Sequence, residues 1–323
     1  MMARLAPQIA DSRAAFALIR RRAAEWKIDP DRIGMVGFSA GAMLTLALMG
    51  DVMLGRGVDA ALRHMRPQDM WGDVLPHLLQ ADLRIANLEC TLTRHAQPWT
   101  RSWKMFHFRA DPGAARFLQA AHIDACSLAN NHTLDFEARG LMDTLHALDS
   151  AGIRHAGAGL NAREAAAPAL IEVPGTSPCR VALIAFTDNQ PDFAAADQNP
   201  GTNFLQISLQ PDALARVADA IARARSQGAD WVVFSNHWGA NFVERPAADF
   251  RRFARRVAAL PHPAGRGVFA GQHLLPRRPV RLAALHADGE LHRHAPLLAP
   301  LRPASTLGHR RCREASTNRI TLP

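Results

Sequence analysis

Short β-rich runs alternate with amphipathic helical patterns between residues 45 and 256, and this alternation restricts the fold more than any other feature. The expected strands are residues 45–49, 83–87, 125–128, 181–186 and 231–235. The expected helices are residues 112–121, 137–151 and 212–227, each with apolar residues three and four positions apart. Strand–helix alternation predicts a layered α/β (α+β) protein. A chain of 323 residues that is 48% hydrophobic is long and apolar enough for one sizeable core.

The last part of the chain, residues 258–323, has a different composition. It holds ten Arg, eight Pro and six His, but its only aromatic residue is Phe269. So little apolar surface cannot offset the entropy lost on ordering, so we expect this tail to be poorly ordered or loosely attached. Most of the net charge of +9 lies there. Because a nucleic-acid-binding face is built into a folded domain, the charge does not predict a nucleic-acid partner.

Cysteine content and hydropathy restrict the site type and the location. The four cysteines are Cys90, Cys126, Cys179 and Cys312. They form no C-x-x-C pair, so their spacing predicts neither a zinc knuckle nor a disulfide framework. The apolar run at residues 14–19 is too short for a signal peptide, and the run at 42–49 is too short to span a bilayer. As written, the chain is expected to be soluble and cytoplasmic.

Polar residues follow the predicted strands in four clusters. They lie at residues 50–56 (GDVMLGR), 87–89 (NLE), 130–135 (NNHTLD) and 236–239 (NHWG). Ligands bind open α/β sheets in the crevice beyond the carboxyl ends of the strands. Carboxylate, amide and imidazole groups from separate strands can there surround a pair of divalent cations. Two such ions can clamp a phosphoryl group and supply the attacking hydroxide.

Each of these residues also has an ordinary structural explanation when it is taken alone. Asp51 fits a turn or a helix cap, while Asn87 and Glu89 fit a solvated loop. His132 fits a hydrogen-bonded structural histidine, and His237 fits a core pair with the tryptophan that follows it. Their occurrence together, in this order after strands, favours a metal site over separate structural roles.

The same blocks resemble those of the CapA family of capsule-synthesis (poly-γ-glutamate synthesis) proteins. Residues 104–112 (KMFHFRADP) and 156–159 (AGAG) fit the family as well, in order and with ordinary spacing. The family is similar to calcineurin-like metallophosphatases. The resemblance therefore implies a metallophosphoesterase β-sandwich flanked by helices, with a two-metal site, and here incomplete at the C-terminus.

The resemblance also implies which residues carry the chemistry. The metal ligands would be Asp51, Glu89, Asn131, His132 and His237. His132, His237 and Arg56 would be catalytic. Arg56 and Lys104 could contact an anionic substrate, although a plain surface or structural ion pair is favoured for Lys104. The implied cofactors are divalent metal ions (Mn, Fe, Zn or Mg), and the implied reaction is phosphoester hydrolysis. The implied partners are an anionic small-molecule or polymer substrate and the capsule-synthesis machinery. The resemblance also allows for relatives that are associated with a membrane.

Two positions depart from the family pattern. Met53 stands where classical metallophosphatases have His, which weakens one metal site. A late Gly-His-x-x-His block is expected after the loop of His237, but only Gly271-Gln272-His273 is found. Because the composition also changes near residue 257, we expect a reading-frame shift or a damaged gene at that point. Loss of at least one metal ligand would then leave the site incomplete.

Residues 37–41 (GFSAG) match the G-x-S-x-G nucleophile elbow of α/β-hydrolases, with Ser39 as the nucleophile. Too few residues precede it for the strands and oxyanion loop of that fold, and no Asp and His follow in the expected order. We therefore expect a hydrolase-like fragment at 1–44, a CapA-like domain at 45–257 and the tail at 258–323. A serine esterase using Ser39 and a catalytically silent component of capsule assembly are the alternative functions.

Overall fold

The computed structural model describes residues 45–175, 178–240, 246–260, 266–272, 283–285 and 291–293. The strands are β1 (Leu46–Val52), β2 (Leu83–Leu88), β3 (Thr91–Leu92), β4 (Arg109–Ala110), β5 (Ala125–Ser127), β6 (Arg154–Ala156), β7 (Ala158–Gly159), β8 (Ala169–Val173), β9 (Cys179–Thr187), β10 (Gly201–Thr202), β11 (Trp231–His237), β12 (Arg266–Gln272), β13 (Ala283–Leu285) and β14 (Leu291–Arg293). The α-helices are α1 (Gly57–Leu62), α2 (Leu75–Leu79), α3 (Ala115–Ala120), α4 (Glu137–Ser150), α5 (Ala162–Ala165), α6 (Pro211–Ser226) and α7 (Ala248–Ala258). Short 3₁₀ helices cover Asp69–Val74, Pro112–Ala114 and Pro191–Phe193.

These strands form two main sheets. The first has the order β1-β2-β5-β6 and is parallel throughout. The second has the order β14-β13-β12-β11-β9-β8, with parallel pairing among β12, β11 and β9 and antiparallel pairing on either side. Every residue of β2 is buried. Parallel strands covered on both faces require near-continuous apolar runs, which is the pattern that made them visible in the sequence.

An apolar layer separates the two sheets and forms one part of the core. Leu83 and Ile85 of β2 and Ala125 of β5 enter it from the first sheet, and Leu183 of β9 and Val233 of β11 enter it from the second. Alternate residues of each strand point into this layer because side chains alternate between the faces of a sheet. The two sheets are therefore stacked face to face.

Helices cover the outer faces of both sheets. On the first sheet, α4 buries Leu141 and Leu148 in a cluster with the outer residues of β2 and β5. On the second sheet, α6 buries Val217 and Ile221, and α7 buries Phe253. The layers run helix, sheet, sheet, helix. This arrangement confirms the expected β-sandwich flanked by helices.

Two of the expected elements differ from the observed ones for identifiable reasons. The expected strand at 45–49 continues to Val52, and its pairing with β2 shifts register between Leu48 and Asp51. Asp51 therefore lies within the strand and not directly after it. The expected helix at 112–121 is divided into a 3₁₀ turn and α3, because Asp111 accepts a hydrogen bond from the Gly113 backbone N–H at 2.9 Å and tightens the first turn.

Three strands lie in the C-terminal part of the chain, where the sequence analysis placed none. β12 pairs in parallel with β11 along its whole length, and β13 and β14 extend the same sheet in antiparallel fashion. The division of the chain at residues 44 and 257 stays a prediction. The hydrolase-like segment at 1–44 and Ser39 lie outside the described residues.

Leu183→Ala tests the layer between the sheets. Leu183 is 0% exposed and pairs with strands on both sides. Removal of its side chain leaves a cavity, so we expect a loss of about 2–5 kcal/mol in the free energy of unfolding, measured by urea denaturation. The control is Leu160→Ala, since Leu160 is 42% exposed. Equal effects of the two substitutions would contradict the assigned position of the core.

Candidate metal centre

The candidate site lies where the carboxyl ends of the two sheets meet. Asp51 is on β1, Asn87 is on β2, and Glu89 is the first residue after β2. His237 is the last residue of β11, in the other sheet. The irregularity in the pairing of β1 with β2 places Asp51 opposite Asn87. The site is thus assembled from both halves of the sandwich.

Asp51, Glu89 and His237 form a cluster of three potential metal ligands. One donor atom of each lies within 4.8 Å of the donor atoms of the other two. His237 Nδ1 is 3.4 Å from Asp51 Oδ1, and His237 Nε2 is 3.9 Å from Glu89 Oε1. The three side chains are between 8% and 14% exposed. Both carboxylates are therefore largely removed from water.

The loop after β5 brings the other two predicted ligands against this cluster. The Oδ1 atom of Asn131 is 2.9 Å from Nε2 of His237. Nε2 of His132 is 3.8 Å from Oε1 of Glu89. Asn130 shapes the loop, because its Oδ1 accepts a hydrogen bond from the His132 backbone N–H at 2.9 Å. All five predicted ligands lie together, and their binding of metal stays a prediction.

Asn87 is the centre of the polar contacts between the strands. Its Nδ2 donates to Asp51 Oδ1 at 2.7 Å and lies 3.4 Å from His237 Nδ1. Its Oδ1 accepts from Asn130 Nδ2 at 3.1 Å. Asn87 belongs to one of the predicted strand-end clusters, but it is not among the predicted ligands. Its position in the string NLE was the available signal.

Asp135 holds His132 from the side opposite the cluster. Asp135 Oδ2 is 2.6 Å from His132 Nδ1 and also accepts from the Phe108 backbone N–H at 2.6 Å. The Phe108 ring stacks on the imidazole with 3.9 Å between the ring centroids and 21° between the planes. With Nδ1 bonded to Asp135, the other ring nitrogen faces Glu89. A carboxylate behind a histidine is the usual way to fix the orientation of a metal-binding imidazole.

The two predicted substrate-contacting cations lie in different environments. Lys104 is 6% exposed and forms an ion pair with Asp135 Oδ1 at 3.2 Å. It therefore forms a structural ion pair. Arg56 is exposed, and its guanidinium lies 5.5 Å from the centroid of the Phe106 ring. In the described part of the chain, Arg56 forms no ion pair and does not contact the five predicted ligands. Its catalytic role stays a prediction.

Asp188 is a further strand-end carboxylate, and it was not among the predicted site residues. It follows β9, and its Oδ1 accepts a hydrogen bond from the Gly239 backbone N–H at 2.9 Å. The neighbouring Thr187 donates through Oγ1 to the backbone carbonyl of His237 at 2.7 Å. Burial raises the pKa of Asp188. The signal was the polar string TDNQ at residues 187–190, which follows a predicted strand as the other four clusters do.

Two buried carboxylates share this cluster, and each affects the proton affinity of the other. Burial, together with the negative charge of Asp51, raises the pKa of Glu89 to about 7. Burial would also raise the pKa of Asp51, but hydrogen bonds with His237 and Asn87 lower it below its ordinary value. A cation between the two carboxylates would relieve their repulsion.

The donor set fits a divalent cation. Carboxylate and amide oxygens together with imidazole nitrogens suit the cations from Mg²⁺ to Zn²⁺. Burial lowers the pKa of His132, although Asp135 opposes the shift, and a neutral imidazole is the form that binds a metal. Met53 does not supply a donor to this set, because its Sδ accepts from the Gly55 backbone N–H at 3.0 Å. The identity of the ion and the presence of a second one stay predictions.

Comparison with known proteins gives the family of this domain. The family described as bacterial capsule synthesis protein PGA_cap matches residues 45–273. The chain belongs to the PGA_cap family. It is similar to the capsule biosynthesis protein CapA of Bacillus anthracis, with 27% identity over 253 residues, which cover 78% of this chain and 59% of that protein.

Two further relatives of this PGA_cap chain carry related names. A probable polyglutamine synthesis accessory protein of Mycobacterium tuberculosis (strain CDC 1551 / Oshkosh) is 32% identical over 250 residues, which cover 67% of this chain and 65% of that protein. The PGA biosynthesis protein CapA of Bacillus subtilis (strain 168) is 25% identical over 232 residues, which cover 72% of this chain and 57% of that protein. The alignments thus span between 57% and 65% of the length of these three relatives.

The limits of the family matches bear on both ends of the chain. The PGA_cap match continues to residue 273, beyond residue 257, and includes β12 and the Gly271-Gln272-His273 string. The expected reading-frame shift stays a prediction. The BD-FAE family matches residues 1–69, which agrees with the hydrolase-like resemblance of the first segment. Among the described residues, no helix is both long and apolar enough to cross a membrane.

Glu89→Gln tests the repulsion between the two carboxylates in the metal-free protein. Because the pKa of Glu89 in the folded state (about 7) lies above its ordinary value of 4.5, the folded state binds this proton more tightly than the unfolded state. Stability is therefore lost as the pH rises from about 4.5 to about 7. We expect wild-type protein in EDTA to lose roughly 2–3 kcal/mol of unfolding free energy at most between pH 5 and pH 8.

Glu89→Gln should remove most of this pH dependence and be more stable than wild type at pH 8, as measured by urea unfolding at both pH values. Asp219→Asn is the matched control, since Asp219 is exposed on α6. A wild-type pH dependence that survives in Glu89→Gln would show that another group causes it.

Proposed function

We propose that this chain is a divalent-metal-dependent phosphoester hydrolase that acts in capsule or poly-γ-glutamate biosynthesis. The observation that carries the proposal is the cluster of Asp51, Glu89 and His237, whose donor atoms lie within 4.8 Å of one another and whose side chains are only 8–14% exposed. Two buried carboxylates so close together repel each other without a cation. The family membership supports the biosynthetic context, because relatives are named for capsule biosynthesis and polyglutamine synthesis.

The chain's own residues have distinct parts in this proposal. Asp51, Glu89 and His237 hold the ion, and Asn131 and His132 extend the ligand set at the same edge of the sheets. A bound divalent ion supplies a Lewis acid and an activated water for attack on phosphorus. His237 and His132 both present Nε2 toward Glu89. An imidazole whose Nε2 is not bound to the ion could exchange a proton with a group bound at the centre.

Arg56 would bind the anionic part of the substrate. Its guanidinium is exposed and lies against the exposed ring of Phe106. Phe106 in turn stacks on Phe108 with 6.3 Å between the centroids, and Phe108 stacks on His132. A row of stacked rings thus connects Arg56 with His132. Arg56 would bind a second anionic group of an extended substrate. A polymer or other polyanion has such a group, which agrees with the expected class of substrate.

His132→Ala and His237→Ala test the proposed reaction. We expect Mn²⁺-dependent hydrolysis of bis-p-nitrophenyl phosphate by the full chain, and a reduction in kcat/KM of roughly 100-fold or more in each variant, because each removes a ligand or proton-exchanging group. His237→Ala should also weaken Mn²⁺ binding in calorimetry. His146→Ala is the control, since His146 is exposed on α4 and is not one of the predicted ligands. Metal binding and activity that persist in both test variants would reject the proposal.

A serine esterase is the second candidate function, and the BD-FAE match over residues 1–69 is the observation that favours it. Hydrolysis of a p-nitrophenyl acyl ester that is lost in Ser39→Ala would support the esterase. Under the leading proposal, Ser39→Ala leaves the Mn²⁺-dependent activity unchanged. Purified protein that retains no metal and shows neither activity would instead support a silent component of capsule assembly.

A further inference from the structure

Lys104 belongs to the long connection between β3 and β4. Its side chain is buried against the loop after β5, which is unusual for a lysine. Its side chain is 6% exposed. Nζ donates a hydrogen bond to the backbone carbonyl of Asn131, forms an ion pair with Asp135 Oδ1 at 3.2 Å, and lies 5.4 Å from the centroid of the Phe193 ring. A buried ammonium of this kind is retained only where its partners compensate the loss of water.

Both partners of Lys104 belong to the segment that carries predicted ligands. Asn131 Oδ1 reaches His237 in the cluster, and Lys104 holds the carbonyl of the same residue. Asp135 is 0% exposed. Its Oδ2 forms the hydrogen bond with His132 Nδ1, and its Oδ1 forms the ion pair with Lys104 Nζ. One ammonium group therefore acts on two neighbouring ligands by two separate routes.

The rest of the β3–β4 connection reinforces the same segment. The Trp99 backbone N–H donates to the Asp135 carbonyl at 2.9 Å. The Phe108 backbone N–H donates to the Asp135 side chain, and the Phe108 ring covers one face of His132. Of these contacts, only the Lys104 ion pair balances the charge of the buried carboxylate. Without it, Asp135 would lie in the interior as an unpaired charge and would no longer be held where it accepts the hydrogen bond from His132 Nδ1.

We propose that Lys104 is a positioning residue for the metal centre, which sets the Asn131 amide and the His132 imidazole relative to each other through Asn131 O and Asp135. Its Nζ contacts Asn131 O and Asp135, which agrees with the structural ion pair that was favoured for it over a substrate contact. In metal-free protein the consequence is a single His132 tautomer, with the proton on Nδ1 and the Nε2 lone pair toward Glu89. The expected effect of Lys104 on metal binding rests on the proposed function. The expected effect of Lys104 on the His132 tautomer does not depend on it.

Lys104→Met is the decisive variant, because it keeps an unbranched side chain of similar length and removes the charge and the donors. The first measurement is the ¹⁵N–¹H correlation spectrum of the histidine rings in metal-free protein, with His132 assigned by its absence in His132→Ala. We expect the wild type to show one tautomer, protonated at Nδ1, and Lys104→Met to show a mixture. The second measurement is the dissociation constant for Mn²⁺, expected to rise roughly 10- to 100-fold, as for other losses of support behind metal ligands.

Arg101→Met is the matched control. Arg101 lies on the same connection and is also paired with a carboxylate, Glu137, at 2.5 Å, but it is 63% exposed. We expect this variant to keep the wild-type tautomer of His132 and to bind Mn²⁺ within about twofold of wild type, because an exposed ion pair contributes little. A change equal to that in Lys104→Met would mean that the connection as a whole, and not Lys104, positions the ligands.

The proposal is overturned if Lys104→Met folds with the wild-type tautomer of His132 and with unchanged Mn²⁺ affinity. If Lys104→Met does not fold, Lys104→Arg decides, since it keeps the charge but has a different donor geometry. A folded Lys104→Arg protein must then show weakened Mn²⁺ binding or an altered tautomer, and wild-type values for both would also overturn the proposal. Wild-type protein that binds no Mn²⁺ would reject the proposed function, while the tautomer in the Lys104 variants would still test the positioning role.

Discussion

The apolar layer between the two sheets is the interaction on which the rest of this PGA_cap structure depends. Leu83 and Ile85 from one sheet and Leu183 and Val233 from the other set the distance and alignment of the sheets. That alignment brings the carboxyl end of β11 against the carboxyl ends of β1 and β2. His237 then meets residues of the other sheet with which it shares no strand pairing. The polar centre is thus a consequence of apolar packing beneath it.

The sequence predicted the layers of the fold and the location of the site. Strands such as β2 and β9 are buried along almost their full length, so they appear as apolar runs whose ends are marked by polar residues. Those ends carry Asp51, Glu89 and His237, and the parallel arrangement of the strands collects them at one edge. Local pattern and tertiary arrangement therefore agree, which is why the five predicted ligands lie together.

Other features depend on three-dimensional contacts that the sequence does not display. The register shift in β1 follows from its pairing with β2, and it determines that Asp51 lies opposite Asn87. The sequence favours an ion pair for Lys104, but nothing in its neighbourhood in the sequence shows that the partner is the buried Asp135 on another loop. The strands β12 to β14 were missed because they are short or contain Gly and lie in a segment rich in Arg and Pro. Pairing of β12 with β11 compensates for this weak local preference.

Because the ligand cluster draws on both sheets, any cation held there is also a cross-link between them. Asp51 and Glu89 would hold it from one sheet and His237 from the other. Separation of the sheets would then release the ion, and binding of the ion would oppose their separation, by a free energy that grows with the logarithm of its concentration. In such a protein the supply of metal acts on the lifetime of the folded chain as well as on its chemistry. Scarcity of the ion would increase the fraction of molecules in which the apolar layer is open to water and to proteases.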